Sequence, residues 1–371
     1  MEIKYHAGPH IRSTRSTKII MLELTAALLI VWLFSLFRYL GMGGAYARQI
    51  ILIPIVSVGV CVLTEVLFAL FYKKNVAKHL KGSFPWITGL ILALTVPINT
   101  SLYALAVSAF IAIFFGKLVF GGFGDNIFNP AAIGRVTILT GFASSRLLDV
   151  VASPTPTTTI ADSGWLLNQS GLQAFLSQFG GIKNMLLGNY FGAIGETNTL
   201  LIIILGIILS YNEILDWAVP AFYMGLIFAG TTIVGLIKGA GFEYGLFNVL
   251  TGGVAFGAVF MLTDPVTNPN TRAGRIVFTC FAAFFTVLIR YKASLPEGVC
   301  YSILLANILT PTIEKYFDGK TIDRMHKDTI TVTLIILLSL FGIILIGLSL
   351  DVNDYPAVMA LFKNIAGGIG L

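Results

Sequence analysis

Apolar residues in this chain run in long unbroken blocks, with polar residues confined to short stretches between them. The blocks lie at 19–38, 49–72, 87–121, 199–211, 216–238, 246–263, 274–291, 297–313 and 329–350, the third long enough for two crossings. Crossing ~30 Å of hydrocarbon takes about 20 apolar residues as a helix, and backbone in lipid has to satisfy its own hydrogen bonds. The pattern predicts an all-α polytopic membrane protein of about ten or eleven transmembrane helices. The exception is 141–198, rich in Thr, Ser, Gly and Asn, where so long a polar segment calls for water or a bound group.

Two short phrases recur in order. "LTVPINT" from Leu94 returns as "LTDPVTNPNT" from Leu262, and "NIFNP" from Asn126 as "NILTP" from Asn307. Such recurrence predicts two related halves with Pro-broken helices and a site where they meet. The expected organisation is a 1–18 N-terminal segment, a first membrane half at 19–142, a polar region at 143–198 and a second half at 199–316. A link, an additional helix and a tail follow over 317–371.

Composition agrees with a bilayer: 56% of residues are hydrophobic and 11% charged, against about 25% charged in soluble domains. The net charge of +6 gathers in clusters, namely Lys4, Arg12, Arg15 and Lys18, then Lys73, Lys74, Lys78 and Lys81, then Lys315, Lys320, Arg324 and Lys327. The positive-inside rule puts these and the N-terminus in the cytoplasm of a multi-pass protein of the cytoplasmic membrane, with Asp351 and Asp354 outward. Nothing supports nucleic-acid binding. The first span continues without a small-residue cleavage site, so no removable signal is expected. Cys61, Cys280 and Cys300 lie far apart in apolar runs, and His6, His10, His79 and His326 fall in polar stretches, so neither a metal site nor haem ligation is expected.

Five segments hold residues with chemistry. Glu65 sits inside a span, where a carboxylate costs about 2.5–3.5 kcal/mol at the centre of a lone helix, and it is a candidate for an ion path; headgroup contact is the plainer reading. Glu23, near the start of the first span, reads as interfacial. In "GGFGDNIFNPAAIGR", Asn126 and Asn129 share one face of a helical turn, and their carboxamides suit a flat heterocycle, or else cap a helix. In "GNYFGAIGETNTLL", Gly188, Gly192 and Gly195 allow a ring or a second backbone to come close, with Thr197 as a helix cap and Glu196 in the favourable field of the helix N-terminus. In "LTDPVTNPNTRAGR", Asp264 is positioned either to pair with Arg272 or Arg275 or to serve an ion path.

At these segments the chain resembles the D subunit of Rnf electron-transport complexes and, more distantly, the B subunit of sodium-translocating NADH:quinone reductases. The resemblance rests on "GPHIRSTRSTKIIM", "FGGFGDNIFNPAAIGR", "GAIGETN", "GAVFMLTDPVTNPNTRAGR" and "PEGVCYSILLANILTP", in order from residue 7 to about 316. It implies two five-helix halves like those of urea and ammonium channels, FMN on a threonine through a phosphoester, and a non-covalent riboflavin. Asn126 and Asn129 then stand as riboflavin contacts, with Gly192, Gly195, Glu196 and Thr197 near the FMN. The implied acceptor is Thr155, six residues after Asp149 and before Pro156, with Thr157 second; Ala152, Ser153 and Pro154 depart from the usual signal. The implied partners are the other Rnf subunits, especially the second covalent-FMN subunit, a flavin transferase, and Na+ or H+. A Gly-rich nucleotide fingerprint is missing, so NAD is not expected on this chain. The competing reading is a stand-alone small-solute channel or carrier, and the final span lies beyond the family core.

Overall fold

The computed structural model describes residues 16–142, 144, 145, 147, 150, 154–293, 295, 297–317 and 325–353, the side chains of 325–327 excepted. Among them the chain is helical throughout. The first group is α1 Thr17–Leu40, α2 Gly44–Phe71, α3 Val76–Ser83, α4 Pro85–Thr95, α5 Leu102–Ile113 and α6 Pro130–Gly141. The polar region forms α7 Pro156–Asp162, α8 Gln169–Gln178 and α9 Gly181–Leu187. The remainder is α10 Thr199–Tyr211, α11 Ala218–Ile237, α12 Glu243–Leu250, α13 Val254–Phe256, α14 Arg272–Lys292, α15 Val299–Phe317 and α16 Met325–Leu348. The basic residues before Ser16, Asp149, Ala152, Ser153, Lys320, Arg324 and Asp354 lie outside the described residues.

Each apolar block is helical, yet the expected ten or eleven crossings are not matched by ten long helices. Among the described residues five helices are long and apolar enough to cross a membrane: α1, α2, α11, α14 and Asp328–Leu348 of α16. The pair Glu243–Leu250 and Val254–Met261, bent by 59°, makes a sixth if counted as one span. The other apolar helices, Pro85–Thr95, Leu102–Leu118 and Thr199–Tyr211, are short. At 1.5 Å per residue the α4 block reaches only about 17 Å, so its end stops inside the protein.

One succession of elements occurs twice. A short apolar helix (α4, α12) breaks, and a second helix ends in a π-helical turn, Phe114–Leu118 after α5 and Gly257–Met261 after α13. An Asn-bearing loop then leads into α6 or α14. The two phrases noticed in the sequence do not occupy matching places in this succession. "LTVPINT" spans the first break, whereas "LTDPVTNPNT" follows the second π-turn, and "NILTP" lies within α15.

Both breaks expose backbone carbonyls that lipid cannot satisfy, and the fold supplies donors for them. At the first, Gly195 N donates to Leu94 O (2.7 Å) and Ile194 N to Val96 O (2.9 Å). The approach needs a glycine, because a Cβ on Gly195 would lie 2.6 Å from Leu94 Cβ. At the second, the guanidinium of buried Arg290 donates to Asn248 O (2.9 Å), Thr251 O (3.0 Å) and Gly252 O (2.9 Å). Leu250 O accepts from Tyr190 Oη (3.2 Å) and Thr199 Oγ1 (3.0 Å). Arg290 therefore caps the C-terminal end of α12, where the helix dipole also favours a cation.

The polar region is not an open loop. Ile160, Leu166, Leu172, Phe175 and Leu176 are buried, and Phe175 meets Phe247 of α12 edge-on at 5.5 Å. Its polarity is largely spent on helix caps and turns. After α16 the chain returns to this region, where Asn353 N donates to Leu166 O (2.9 Å) and Asn353 Nδ2 to Ser163 O (3.0 Å).

Arg290→Met would strand the carbonyls of the α12 end, at about 1–3 kcal/mol for each buried unsatisfied group. Arg275→Met removes a pair whose two side chains are partly exposed, at 34% and 16%, worth ~1 kcal/mol or less. Thermal unfolding in detergent is expected to show the larger drop in midpoint for Arg290→Met; equal drops would contradict the capping role.

Candidate functional site

A cavity with convergent polar groups lies between the two π-turns and α1. It opens to the exterior and is bounded by Met21, Phe84, Ile87, Lys117, Phe123, Asn126, Asn129, Phe260 and Asp264, among others. The walls are apolar and aromatic with a few convergent polar groups, which is how sites for flat organic ligands are built. Asn126, Asn129 and Asp264, picked out separately in the sequence, all reach it.

The two asparagines are not equivalent. Asn129 is the N-cap of α6, its Oδ1 accepting from Ala131 N (3.0 Å) and Ala132 N (3.3 Å), while its Nδ2 donates to Met261 O (3.1 Å). Its backbone N donates to Asn307 Oδ1 (3.0 Å), tying α6 to α15. Asn126 is 6% exposed and its Nδ2 donates to Phe128 O (3.1 Å), with no partner for Oδ1 among the described residues. Asn126 thus keeps an acceptor for a ligand, whereas Asn129 is mainly a brace. Asp264 accepts from Val266 N (3.2 Å) and Thr267 Oγ1 (3.3 Å). Of the two readings of Asp264, the pair with an arginine is not formed: Arg275 Nη1 lies 3.2 Å from Asp216 Oδ2, and the Arg272 guanidinium lies over the Trp217 ring at 5.4 Å.

Glu65 is fully buried, which removes the headgroup reading, and it has partners the sequence did not announce. Lys117 Nζ, in the first π-turn, is 2.8 Å from Oε1, and Ser83 Oγ donates to the same oxygen at 2.5 Å. His79 Nε2 on α3 approaches Oε2 at 2.6 Å, without the alignment of a hydrogen bond. Lys117 Nζ also donates to Ser83 O and lies 5.5 Å from the centre of the Phe123 ring. Phe84, at φ 51°, joins α3 to α4 and presents the Ser83 end to Glu65, a left-handed conformation that costs a non-glycine residue energy. A lysine inside "IFFGKLVF" is itself a signal as strong as Glu65, and pairing the two was the available inference.

A second cluster lies between the breaks. Arg135 of α6 pairs with Glu297, and a small cavity there is also lined by Thr95, Glu196, Gly252, Gly253 and Cys300. Glu196 Oε1 accepts from Ala193 N (3.1 Å), closing its own turn rather than sitting at the α10 start. Asn198, not Thr197, is the N-cap of α10; Thr197 Oγ1 accepts from Arg38 Nη1 (3.4 Å). Gly192 packs on the Thr197 methyl and Gly195 on Leu94, so both serve close backbone packing.

Thr155 is half-buried and caps α7, accepting from Thr158 N (3.2 Å), with Thr157 Oγ1 and Thr158 Oγ1 each 3.1 Å from its hydroxyl. It begins a helix with Pro156 at N1. Thr157 is buried, and a side chain at Gly252 would collide with both Thr157 and Arg290, so these two flank one bare stretch of backbone. Among the described residues no His, Cys, Asp and Glu cluster suited to a metal ion is present.

Residues 4–323 match the family described as NQR2, RnfD, RnfE, so α16 lies outside the matched stretch. The D subunit of the proton-translocating ferredoxin:NAD(+) oxidoreductase complex of Clostridium ljungdahlii is 35% identical over 322 residues, covering 84% of this chain and 93% of that protein. The D subunit of the Na(+)-translocating complex of Acetobacterium woodii is 30% identical over 319 residues, covering 85% and 94%. The B subunit of the Na(+)-translocating NADH-quinone reductase of Pseudomonas aeruginosa is 30% identical over 295 residues, covering 78% and 71%.

Removing one partner of a buried pair costs about 3–5 kcal/mol, and removing both costs much less. Lys117→Met is therefore expected to destabilise strongly, with Lys117→Met/Glu65→Gln recovering most of the loss in detergent unfolding. A double variant no more stable than the single would show that the two are not coupled.

Proposed function

The chain belongs to the NQR2, RnfD, RnfE family, and from that premise we propose that it is the flavin-bearing membrane subunit of an ion-translocating ferredoxin:NAD+ oxidoreductase. In this reading it takes part in the oxidoreductase as one component of a multi-subunit complex in the cytoplasmic membrane, with its N-terminus on the cytoplasmic side. The observation that carries it is the cavity at the π-turns, which brings Asn126, Lys117 and Asp264 together against aromatic and aliphatic walls. That donor and acceptor set fits the edge of a riboflavin ring and lacks the carboxylate-rich lining a metal would need.

The FMN acceptor is assigned to Thr155, with Thr157 as the alternative. Two surroundings support the segment. Hydroxyls of Thr155, Thr157 and Thr158 lie together at the α7 start, and Thr157 borders the Arg290 guanidinium across Gly252. The glycine loop reaches the same helix break, through Tyr190 Oη on Leu250 O, so Gly192, Gly195, Glu196 and Thr197 belong to the surroundings of α7. Bound flavins would supply one-electron transfer. The protein's part is to hold them apart, keep water off the ring faces and place Lys117 Nζ and Asn126 Oδ1 at the ring edge. Glu65, joined to that cavity through Lys117, and Asp264 in its wall are assigned to the coupled ion path.

Asn126→Leu removes an unpartnered acceptor and is expected to lower extractable riboflavin with little change in stability, about 0.5–1.5 kcal/mol of binding per hydrogen bond. Asn129→Leu removes a cap and a brace and is expected to lower stability as well. A constant riboflavin to protein ratio in Asn126→Leu would refute the assignment. Peptide mapping of protein from a host with the flavin transferase is expected to find FMN on the peptide holding Thr155, lost in Thr155→Val. An unmodified peptide would refute the acceptor site.

A further inference from the structure

Lys117, His79 and Ser83 change what Glu65 is able to carry. A hard cation is held by several oxygens, typically carbonyls and carboxylates at broken helices. Glu65 offers no such set. Its Oε1 faces Lys117 Nζ (2.8 Å) and the Ser83 hydroxyl (2.5 Å), and its Oε2 faces His79 Nε2 (2.6 Å). Two nitrogens that carry or accept protons crowd the carboxylate where a sodium ion would need oxygen.

The same contacts form a continuous line. The His79 side chain is 15% exposed, Glu65 is fully buried and the Lys117 side chain is 3% exposed. Lys117 and Ser83 both line the cavity. Cys61 of α2 and Asp264 of the loop after the second π-turn are the other titratable groups near Lys117. We propose that His79, Glu65 and Lys117 form a proton relay from the Lys-rich face to the occupant of the cavity, and that this site does not bind sodium. The proposal rests on the ion-path reading of Glu65 and names the ion it passes.

Each transfer conserves protons and charge. Lys117 Nζ gives one proton to a base in the cavity and becomes a neutral amine. The His79 imidazolium passes its Nε2 proton to Glu65 Oε2, the neutral carboxyl turns about its Cγ–Cδ bond, and the same proton then passes to the Lys117 amine. His79 then takes a proton from water, so one proton has moved from the surface to the cavity and the charges of the cluster are restored.

Carbodiimide modification of the purified complex tests the relay without using its activity, since only a protonated carboxyl reacts. The product at Glu65 is an N-acylurea or, by attack of Lys117 and release of urea, an amide to that lysine. Modification of Glu65, read by peptide mass, is expected in the wild-type complex and is expected to increase as the pH is lowered. It is expected to be the same in NaCl and KCl of equal strength, and to rise several-fold in His79→Gln, because the variant removes a neighbour whose positive charge favours the ionised carboxyl. Protection by NaCl but not KCl would make the site a sodium site and overturn the proposal. Modification absent at every pH, or unchanged in His79→Gln, would leave a static ion pair and overturn it equally. None of these outcomes depends on flavin content, which is read separately from the Thr155 peptide.

Discussion

Interrupted helices inside an apolar body impose one requirement on everything else: each backbone group freed at a break has to find a donor or acceptor from the protein. Arg290 meets it at the end of α12, the glycine loop at the end of α4, and Asn129 at the start of α6. Those three solutions also place the functional groups. The glycine loop brings Glu196 beside the Arg135–Glu297 pair, the Arg290 cap borders Thr157, and the Asn129 brace holds the two π-turns on either side of the Asn126 cavity. A π-turn widens the helix by one residue per hydrogen-bonded ring, and here the first turns Lys117 toward Glu65.

Charge is handled in the same way. Buried charge is tolerated where partners surround it, and Glu65 with Lys117 and Arg135 with Glu297 are such pairs. Arg290 is different, since its partners are carbonyl dipoles and no carboxylate among the described residues lies within ion-pair distance. It stands beside the segment assigned to the covalent flavin, whose phosphoester would be negatively charged.

The apolar blocks were enough to read a polytopic helical protein and to place every block on a helix, because hydropathy reports which backbone sits in lipid. They do not fix the number of full crossings, since a run such as 87–121 reads the same whether it holds two spans or two broken helices joined at 96–101. Asn126, Asn129 and Asp264 were legible as polar residues at Pro-rich breaks, and the structure gathers them at one cavity. What was not legible was pairing. Lys117 and His79 sit on other elements than Glu65, and no local spacing rule connects α2 to α3 or to the first π-turn. The capping of α10 by Asn198 rather than Thr197 shows the same limit at short range, because adjacent residues of similar chemistry differ only in which one the backbone turns toward the helix.

A broken-helix body of this kind could serve as a bare solute channel or as a holder of redox groups, and the second is the function assigned to it. The visible spectrum of the chain, purified from a flavin-replete host with the transferase and then denatured and filtered, separates the two directly. The predicted result is flavin absorbance that divides into a fraction released on denaturation and a fraction retained with the polypeptide. Colourless protein from that host would contradict it.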